Sequence, residues 1–214
     1  MNTNTFSATE YLEKLKIKSL NPMQQQTIDS VKTNPEIILL SDTGSGKTLA
    51  FLLPILEALD PDSKQVQALI MVPSRELALQ IDTVLKQLQT GFKVTACYGG
   101  HKREIEENNL VQPPAIIIGT AGRMADHIRR NTINLSSIRF LVLDEFDKIL
   151  ELGFLEEMEF ILNALPPLQT RLLTSATNMA DIPAFARMQN AVTLDFLSGE
   201  QKSAEVLSIK TVLS

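Results

Sequence analysis

Ser41-Asp42-Thr43-Gly44-Ser45-Gly46-Lys47-Thr48 stands between the apolar run Ile37-Ile38-Leu39-Leu40 and the equally apolar Leu49-Ala50-Phe51-Leu52-Leu53. The order reads strand, tight loop, helix, which is the setting of a phosphate-binding loop. Gly44 and Gly46 permit backbone conformations that a side chain forbids, so successive N–H groups can turn inward around a phosphate at a helix N-terminus. Thr43, Gly44, Ser45 and Gly46 then form the cradle, Lys47 reaches the β- and γ-phosphates, and the Thr48 hydroxyl faces Mg²⁺. The strict pattern wants glycine where Ser41 stands, so the match departs at its first position.

Working outward, short apolar segments recur at Ile37 to Leu40, Ala68 to Val72, Val94 to Cys97, Ala115 to Ile118, Phe140 to Leu143 and Arg171 to Thr174. Stretches of helical period separate them. Leu77, Ile81, Val84, Leu85 and Leu88 fall on one face of the segment Glu76 to Gln89, and Phe154, Met158, Ile161, Leu162 and Leu165 share a face in a later one. Both stripes read as core. Strands apolar throughout, alternating with helices, imply an α/β fold: a mostly parallel, twisted sheet with helices on both faces. Ligands of such sheets bind at the carboxyl ends of the strands. Asn21-Pro22 reads as a helix start, with Asn21 as N-cap and Gln24 in the first turn. Pro113-Pro114 and Pro166-Pro167 mark loops ahead of strands.

The 214 residues suit one large domain that buries roughly 70% of the surface its unfolded chain exposes. The single cysteine, Cys97, lies in a strand-like run and reads as a small buried apolar residue; one cysteine excludes an internal disulfide framework and suits a reducing cytoplasm. No apolar run is long enough to cross a bilayer, so the expected setting is cytoplasmic, with no membrane partner. A net charge of −5 argues against broad adhesion to nucleic acid and restricts any such contact to local patches. The basic pairs Lys102-Arg103 and Arg129-Arg130 read as solvated helix faces, the first offset by Glu104, Glu106 and Glu107, and His101 and His127 read as surface residues.

Phosphate chemistry needs a second element, and Phe140-Leu141-Val142-Leu143-Asp144-Glu145 supplies an apolar strand ending in two carboxylates. Asp144 is placed to hold Mg²⁺, partly through bound water, and Glu145 to accept a proton from the hydrolytic water. The catalytic set is therefore Lys47, Asp144 and Glu145. No N-K-x-D string that would read guanine is present, which favours adenine, and the amide of Gln24 has the donor and acceptor to pair with it. Phe6 or Tyr11 would stack on the purine.

With these residues assembled, the chain resembles the DEAD-box family of ATP-dependent RNA helicases along nearly its whole length. Leu20-Asn21-Pro22-Met23-Gln24 is similar to the Q motif, Ser41 to Thr48 to motif I, and Pro73-Ser74-Arg75-Glu76-Leu77-Ala78 to motif Ia. Gly99-Gly100, Thr120-Ala121-Gly122-Arg123, Asp144-Glu145-Phe146-Asp147 followed by Gly153-Phe154, and Ser175-Ala176-Thr177 follow in family order as the GG, Ib, II and III motifs. The resemblance implies a RecA-like P-loop domain that binds ATP and Mg²⁺. It further implies that Pro73, Ser74, Arg75, Gly99, Gly100, Thr120, Gly122 and Arg123 grip one RNA strand by its backbone. Arginine forks and close main-chain N–H groups suit that task. Ser175 and Thr177 are implied to pair with Asp147 and to couple nucleotide state to RNA.

On this likeness residues 1–27 form a Q-motif segment, 28–197 the RecA-like domain, and 198–214 a tail whose Val206 to Leu213 alternates like a terminal strand leading to a linker. The family's second RecA-like domain, with its transition-state arginines, is absent. The chain alone is therefore expected to be a monomer that binds nucleotide, hydrolyses it slowly and unwinds nothing. Departures from the family pattern are Ser41 for alanine, Ser74 for threonine, Ala121 for proline and, most consequential, Phe146 for alanine. A large ring beside Asp144 and Glu145 is expected to push Asp147 away from Ser175 and Thr177. The rival readings are an RNA- or protein-binding scaffold with weakened ATPase, and another P-loop nucleic-acid motor.

Overall fold

The structure, a computed structural model, describes residues 8–179 and 182–197. Phe6 and the expected terminal strand at 206–213 lie outside the described residues. Seven strands form one sheet: Glu36–Ser41 (β1), Ala68–Val72 (β2), Val94–Cys97 (β3), Ile116–Thr120 (β4), Phe140–Leu143 (β5), Thr170–Ser175 (β6) and Val192–Phe196 (β7). Their order across the sheet is β3-β4-β2-β5-β6-β1-β7, and each neighbouring pair is parallel. All five residues of β2 are buried, as a central parallel strand covered on both faces requires.

Alternation along each strand sends successive side chains to opposite faces. Ile37, Leu39, Ile70, Ile116 and Val142 point into one core with the helices Ala8–Lys14 (α1), Pro22–Val31 (α2), Lys47–Ala58 (α3) and Arg75–Leu88 (α4). Ile38, Leu40, Met71, Ile117 and Leu141 point into the other, against Ala121–Arg129 (α6), Phe146–Glu151 (α7) and Leu155–Ala164 (α8). The remaining α-helix among the described residues, Arg103–Leu110 (α5), follows β3. The expected α/β layering with helices on both faces is therefore present, and both predicted stripes are core: Ile81, Leu85 and Leu88 in one layer, Met158, Ile161 and Leu162 in the other. No helix among the described residues is long and apolar enough to cross a membrane.

Several expectations are corrected. The fourth strand starts one residue later than expected and runs on to Thr120, and β7, which pairs with β1, was not anticipated. As an outer strand it buries only Leu194 fully, so its apolar signal is diluted. Tyr11 is completely buried in the first core, so it cannot stack on a bound base, and burial pushes its hydroxyl up to about 12. α2 runs through positions 27 and 28, and Met23 and Ile28 share a core with β1 and α3. Glu106 and His127, read as surface residues, are both buried. Cys97 is buried as expected, and burial pushes its thiol well above the usual range.

Candidate nucleotide and nucleic-acid site

The loop after β1 ends where α3 begins, at Gly46, whose φ of 95° lies in the left-handed region. A Cβ there would also stand 2.6 Å from Gln24 Nε2, so two independent constraints demand glycine. Among the described residues no backbone carbonyl takes the N–H groups of Gly46, Lys47 and Thr48. Those donors, at the positive end of a helix, fit a phosphate. Thr43 and Gly44 are exposed at the loop tip, and Ser45 and Thr48 are half-buried. Ser41 is fully buried, and its hydroxyl lies 2.5 Å from that of Ser45, so the departure at the first loop position becomes a staple across the loop.

Lys47 Nζ donates to the carbonyls of Ser41 at 2.5 Å and Asp42 at 2.8 Å. Burial pushes its ammonium below the ordinary value, against the raising influence of Asp144, Glu145, Asp147 and Asp42. The lysine is thus aimed along the loop and faces the carboxylates at the end of β5.

Gln24 joins α2 to this loop. Asn21 and Gln24 form a reciprocal capping box: Asn21 Oδ1 accepts from Gln24 N–H at 2.9 Å, and Gln24 Oε1 accepts from Asn21 N–H at 3.0 Å. The amide nitrogens of the same two side chains then donate outward, Asn21 Nδ2 to the Ser45 carbonyl at 3.0 Å and Gln24 Nε2 to the Gly46 carbonyl at 3.2 Å. Gln24 keeps one N–H and one lone pair for a ligand. Asn21, expected only as a cap, is also a clamp on the loop. The clue in the sequence was its place three residues before Gln24.

Asp144 is buried and its Oδ1 accepts from Thr174 Oγ1 at 2.6 Å. Burial pushes this carboxyl up to about 6, with Glu145 adding to the rise and Thr174 and Lys47 opposing it. Glu145 sits in the left-handed region with φ 49° as the N-cap of α7, and its N–H donates to Thr174 Oγ1 at 3.0 Å. One buried hydroxyl on β6 therefore holds the Asp144 carboxylate and the Glu145 backbone, a role the sequence did not single out. The Thr48 hydroxyl and the Asp144 carboxylate, with the Lys47 ammonium close to Asp144, are of the oxygen-donor types that suit Mg²⁺ bound with a polyphosphate.

Phe146 does not act as expected. Its ring is completely buried in the second core. Asp147 Oδ2 accepts from Thr177 Oγ1 at 3.0 Å, so the expected displacement from Thr177 is absent. Ser175, implied to pair with Asp147 as well, is instead engaged locally: its Oγ donates to the Thr177 carbonyl at 2.7 Å and braces the turn that presents Thr177. The buried Asp147 Oδ1 has no hydrogen-bond partner among the described residues.

The other candidate segments lie at the ends of β2, β3 and β4, side by side at the opposite half of the same sheet edge. Register pairs Val72 with Thr120 and Cys97 with Gly119, which brings the three loops together. Pro73 precedes Ser74, whose hydroxyl caps α4 by accepting from Leu77 N–H at 3.2 Å. Arg75 is exposed, with its guanidinium 5.3 Å from the centre of the Tyr98 ring. Gly99 and Gly100 are exposed, Gly100 at φ 94° beside Arg75. Thr120 and Gly122 open α6, with Gly122 exposed. Arg123 turns inward: its guanidinium donates to Glu106 Oε2 at 2.9 Å and to the His101 carbonyl at 3.2 Å.

A family model described as DEAD/DEAH box helicase matches residues 21–183. The chain is 41% identical over 161 residues to ATP-dependent RNA helicase DeaD of Haemophilus influenzae, covering 73% of this chain and 26% of that protein. It is 37% identical over 177 residues to the DEAD-box ATP-dependent RNA helicase CshA of Bacillus subtilis, covering 82% of this chain and 36% of that one. The crystal structure of a DEAD box protein from the hyperthermophile Methanococcus jannaschii superposes with a TM-score of 0.80 at 30% identity, over 91% of this chain and 56% of that chain. The chain thus spans only a part of the length of these relatives.

Proposed function

The chain belongs to the DEAD/DEAH box helicase family, and from that premise we propose that it is the ATP-binding motor half of a cytoplasmic RNA helicase. ATP binding and hydrolysis here would drive RNA strand capture and duplex opening in company with a second RecA-like domain. The observation that carries the reading is one of convergence. Lys47, the Asp144 and Glu145 carboxylates and the Asp147–Thr177 bond meet at the ends of β1, β5 and β6, beside the loops of β2, β3 and β4.

In this reading the spare N–H and lone pair of Gln24 read the adenine edge, with Phe6 as the stacking ring. The loop N–H groups of Thr43 to Thr48 hold the phosphates, and Lys47 exchanges the Ser41 and Asp42 carbonyls for phosphate oxygens. Thr48 and ionised Asp144 would hold Mg²⁺, which when bound neutralises charge on the β- and γ-phosphate oxygens. Glu145 accepts the proton of the attacking water. The Asp147–Thr177 bond transmits the occupancy of this half to the loops of the other. There Pro73, Ser74, Arg75, Gly99, Gly100, Thr120, Gly122 and Arg123 hold or frame a single RNA strand by its backbone. Transition-state arginines supplied by a second RecA-like domain would be worth about 10³ to 10⁵ in rate, so the chain assayed by itself is expected to turn over slowly.

Calorimetric titration with Mg-ADP and Mg-GDP, repeated on Lys47→Ala and Gln24→Ala, tests the proposal. Binding of ADP alone, weakened by both substitutions, is expected. Equal binding of the two nucleotides overturns the role of Gln24, and no binding overturns the motor reading. Fast RNA-stimulated hydrolysis by this chain alone would overturn the need for a second domain.

A further inference from the structure

One carboxylate outside the nucleotide site is as deeply buried as Asp144 and touches two of the three segments of the opposite half. Glu106, on α5, has a side chain only 2% exposed. Its Oε1 accepts from the Tyr98 N–H at 2.9 Å and lies 2.9 Å from His101 Nε2. Its Oε2 accepts from Arg123 at 2.9 Å and lies 2.7 Å from His127 Nε2. A carboxylate is acceptor-only, so each of these nitrogens donates to it. All four acceptor positions are filled.

The partners are not arbitrary. Tyr98 and His101 flank Gly99-Gly100 on either side, and Arg123 and His127 are consecutive turns of α6, which begins at the Thr120 loop. Glu106 therefore pins two backbone segments to one point. The link extends to the third segment by ring contacts: the His101 ring meets the Tyr98 ring edge-on at 4.6 Å between centres, and the Tyr98 ring carries the Arg75 guanidinium at 5.3 Å. Arg123, whose side chain is 12% exposed, spends its fork on Glu106 and the His101 carbonyl, so it braces the site from below. Of the two arginines in these loops, Arg75 and Arg123, Arg75 is the exposed one.

The same pocket contains Cys97, with its sulfur close enough to Glu106 and His127 to suggest a metal. Burial and the Glu106 charge both hold that thiol protonated, and Arg123 already neutralises the carboxylate. The hydrogen-bonded network accounts for the cluster without an ion.

We propose that Glu106 is the positioning residue of the RNA grip: its buried carboxylate fixes Gly99-Gly100 against the first turns of α6 and, through His101 and Tyr98, aims Arg75 at a backbone phosphate. The proposal rests on the RNA-helicase reading above. It also reassigns Arg123 from direct phosphate contact to support. Replacing the buried charge by a neutral isostere leaves one pair of donors, either Tyr98 N–H with His101 or Arg123 with His127, facing an amide N–H₂, and one of the two fixed segments loses its anchor.

The test measures binding of a fluorescein-labelled ten-nucleotide oligouridylate and of Mg-ADP to the same preparations of the chain, over a salt series. Glu106→Gln is expected to weaken oligouridylate binding by about ten-fold, the scale of one charge-assisted bond. The slope of log affinity against log salt should fall by about 0.7, the loss of one phosphate contact to a single strand. Mg-ADP affinity should stay as in the wild type, a split that general destabilisation would not produce. His101→Ala, which removes the ring contact that holds the Tyr98 side chain under Arg75 without stranding a buried charge, should give the same split and carries the test if Glu106→Gln fails to fold. Wild-type oligouridylate affinity and slope in these variants overturn the proposal and leave the helicase reading standing. A parallel loss of Mg-ADP binding also overturns it, making Glu106 a residue of general stability. Mg-ADP binding by a wild-type chain that takes no oligouridylate overturns the proposal together with the RNA half of the reading it rests on.

Discussion

Replacing Thr174 by valine keeps the shape of a fully buried side chain and removes one hydroxyl. That hydroxyl donates to Asp144 Oδ1 at 2.6 Å and accepts from Glu145 N–H at 3.0 Å. The first bond is charge-assisted once Asp144 ionises, and its loss leaves the Glu145 N–H without its acceptor at a left-handed residue. Together these cost about 3 kcal/mol. For a domain of this size that corresponds to a fall of about 6–12 °C in melting temperature. A second consequence concerns protons. The Asp144 carboxyl stands raised to about 6, and the Thr174 bond is a lowering influence, so the variant's carboxyl rises further. Only the ionised form serves a metal. Mg-ADP affinity in the wild type should therefore strengthen by about ten-fold per pH unit up to about 6 and then level off, and in Thr174→Val that bend should move upward. Differential scanning fluorimetry and calorimetric titration between pH 5 and 8 measure both effects. A variant melting within about 2 °C of the wild type, with its pH bend unmoved, would refute the assignment of Thr174 as the residue that holds the Asp144 carboxylate and the Glu145 backbone.

Three further outcomes follow from the same geometry. Phe146→Ala, which restores the family residue, should destabilise the chain by about 3–5 kcal/mol because the ring fills a buried layer, with Mg-ADP affinity unchanged; denaturant unfolding and titration together check this. Gly46→Ala should lose Mg-ADP binding and melt lower, since the new Cβ meets the left-handed φ of 95° and dislodges Gln24 at 2.6 Å, and a variant that still binds like the wild type would contradict the clamp. For Asp144→Asn the sign comes from the raised carboxyl: the folded state holds the proton more tightly than the unfolded chain, so ionisation erodes stability as pH rises from about 4 to 6. The neutral amide escapes that cost, and the variant should be more stable than the wild type at pH 7 by up to about 3 kcal/mol, equal to it near pH 4, and devoid of hydrolysis.

Much of this was legible along the chain because the information is local. The strands β1, β2, β3, β5 and β6 were visible as apolar runs, for parallel strands covered on both faces must be apolar along their length. Asn21-Pro22 marked the start of α2 because capping is a matter of adjacent residues. β7 escaped notice because only Leu194 is fully buried in it, and a half-exposed outer strand carries a weak pattern. Thr174 looked like an ordinary strand residue, since its partners are some thirty positions away. Phe146 looked disruptive because the sequence places it between carboxylates, whereas α7 turns its ring into the core.

Local order sufficed for the phosphate loop, the paired carboxylates and the parallel layering, since each depends on a few consecutive residues and on which side chains water excludes. Glu106, Arg123 and His127 were another matter. Their charges are indistinguishable in sequence from those of a solvated helix face, and only the pairing of β3 with β4 brings α5 and α6 together around one buried carboxylate. Burial of a charge is a property of the assembled neighbours, because its cost is tolerable only where several donors from distant segments meet it at once.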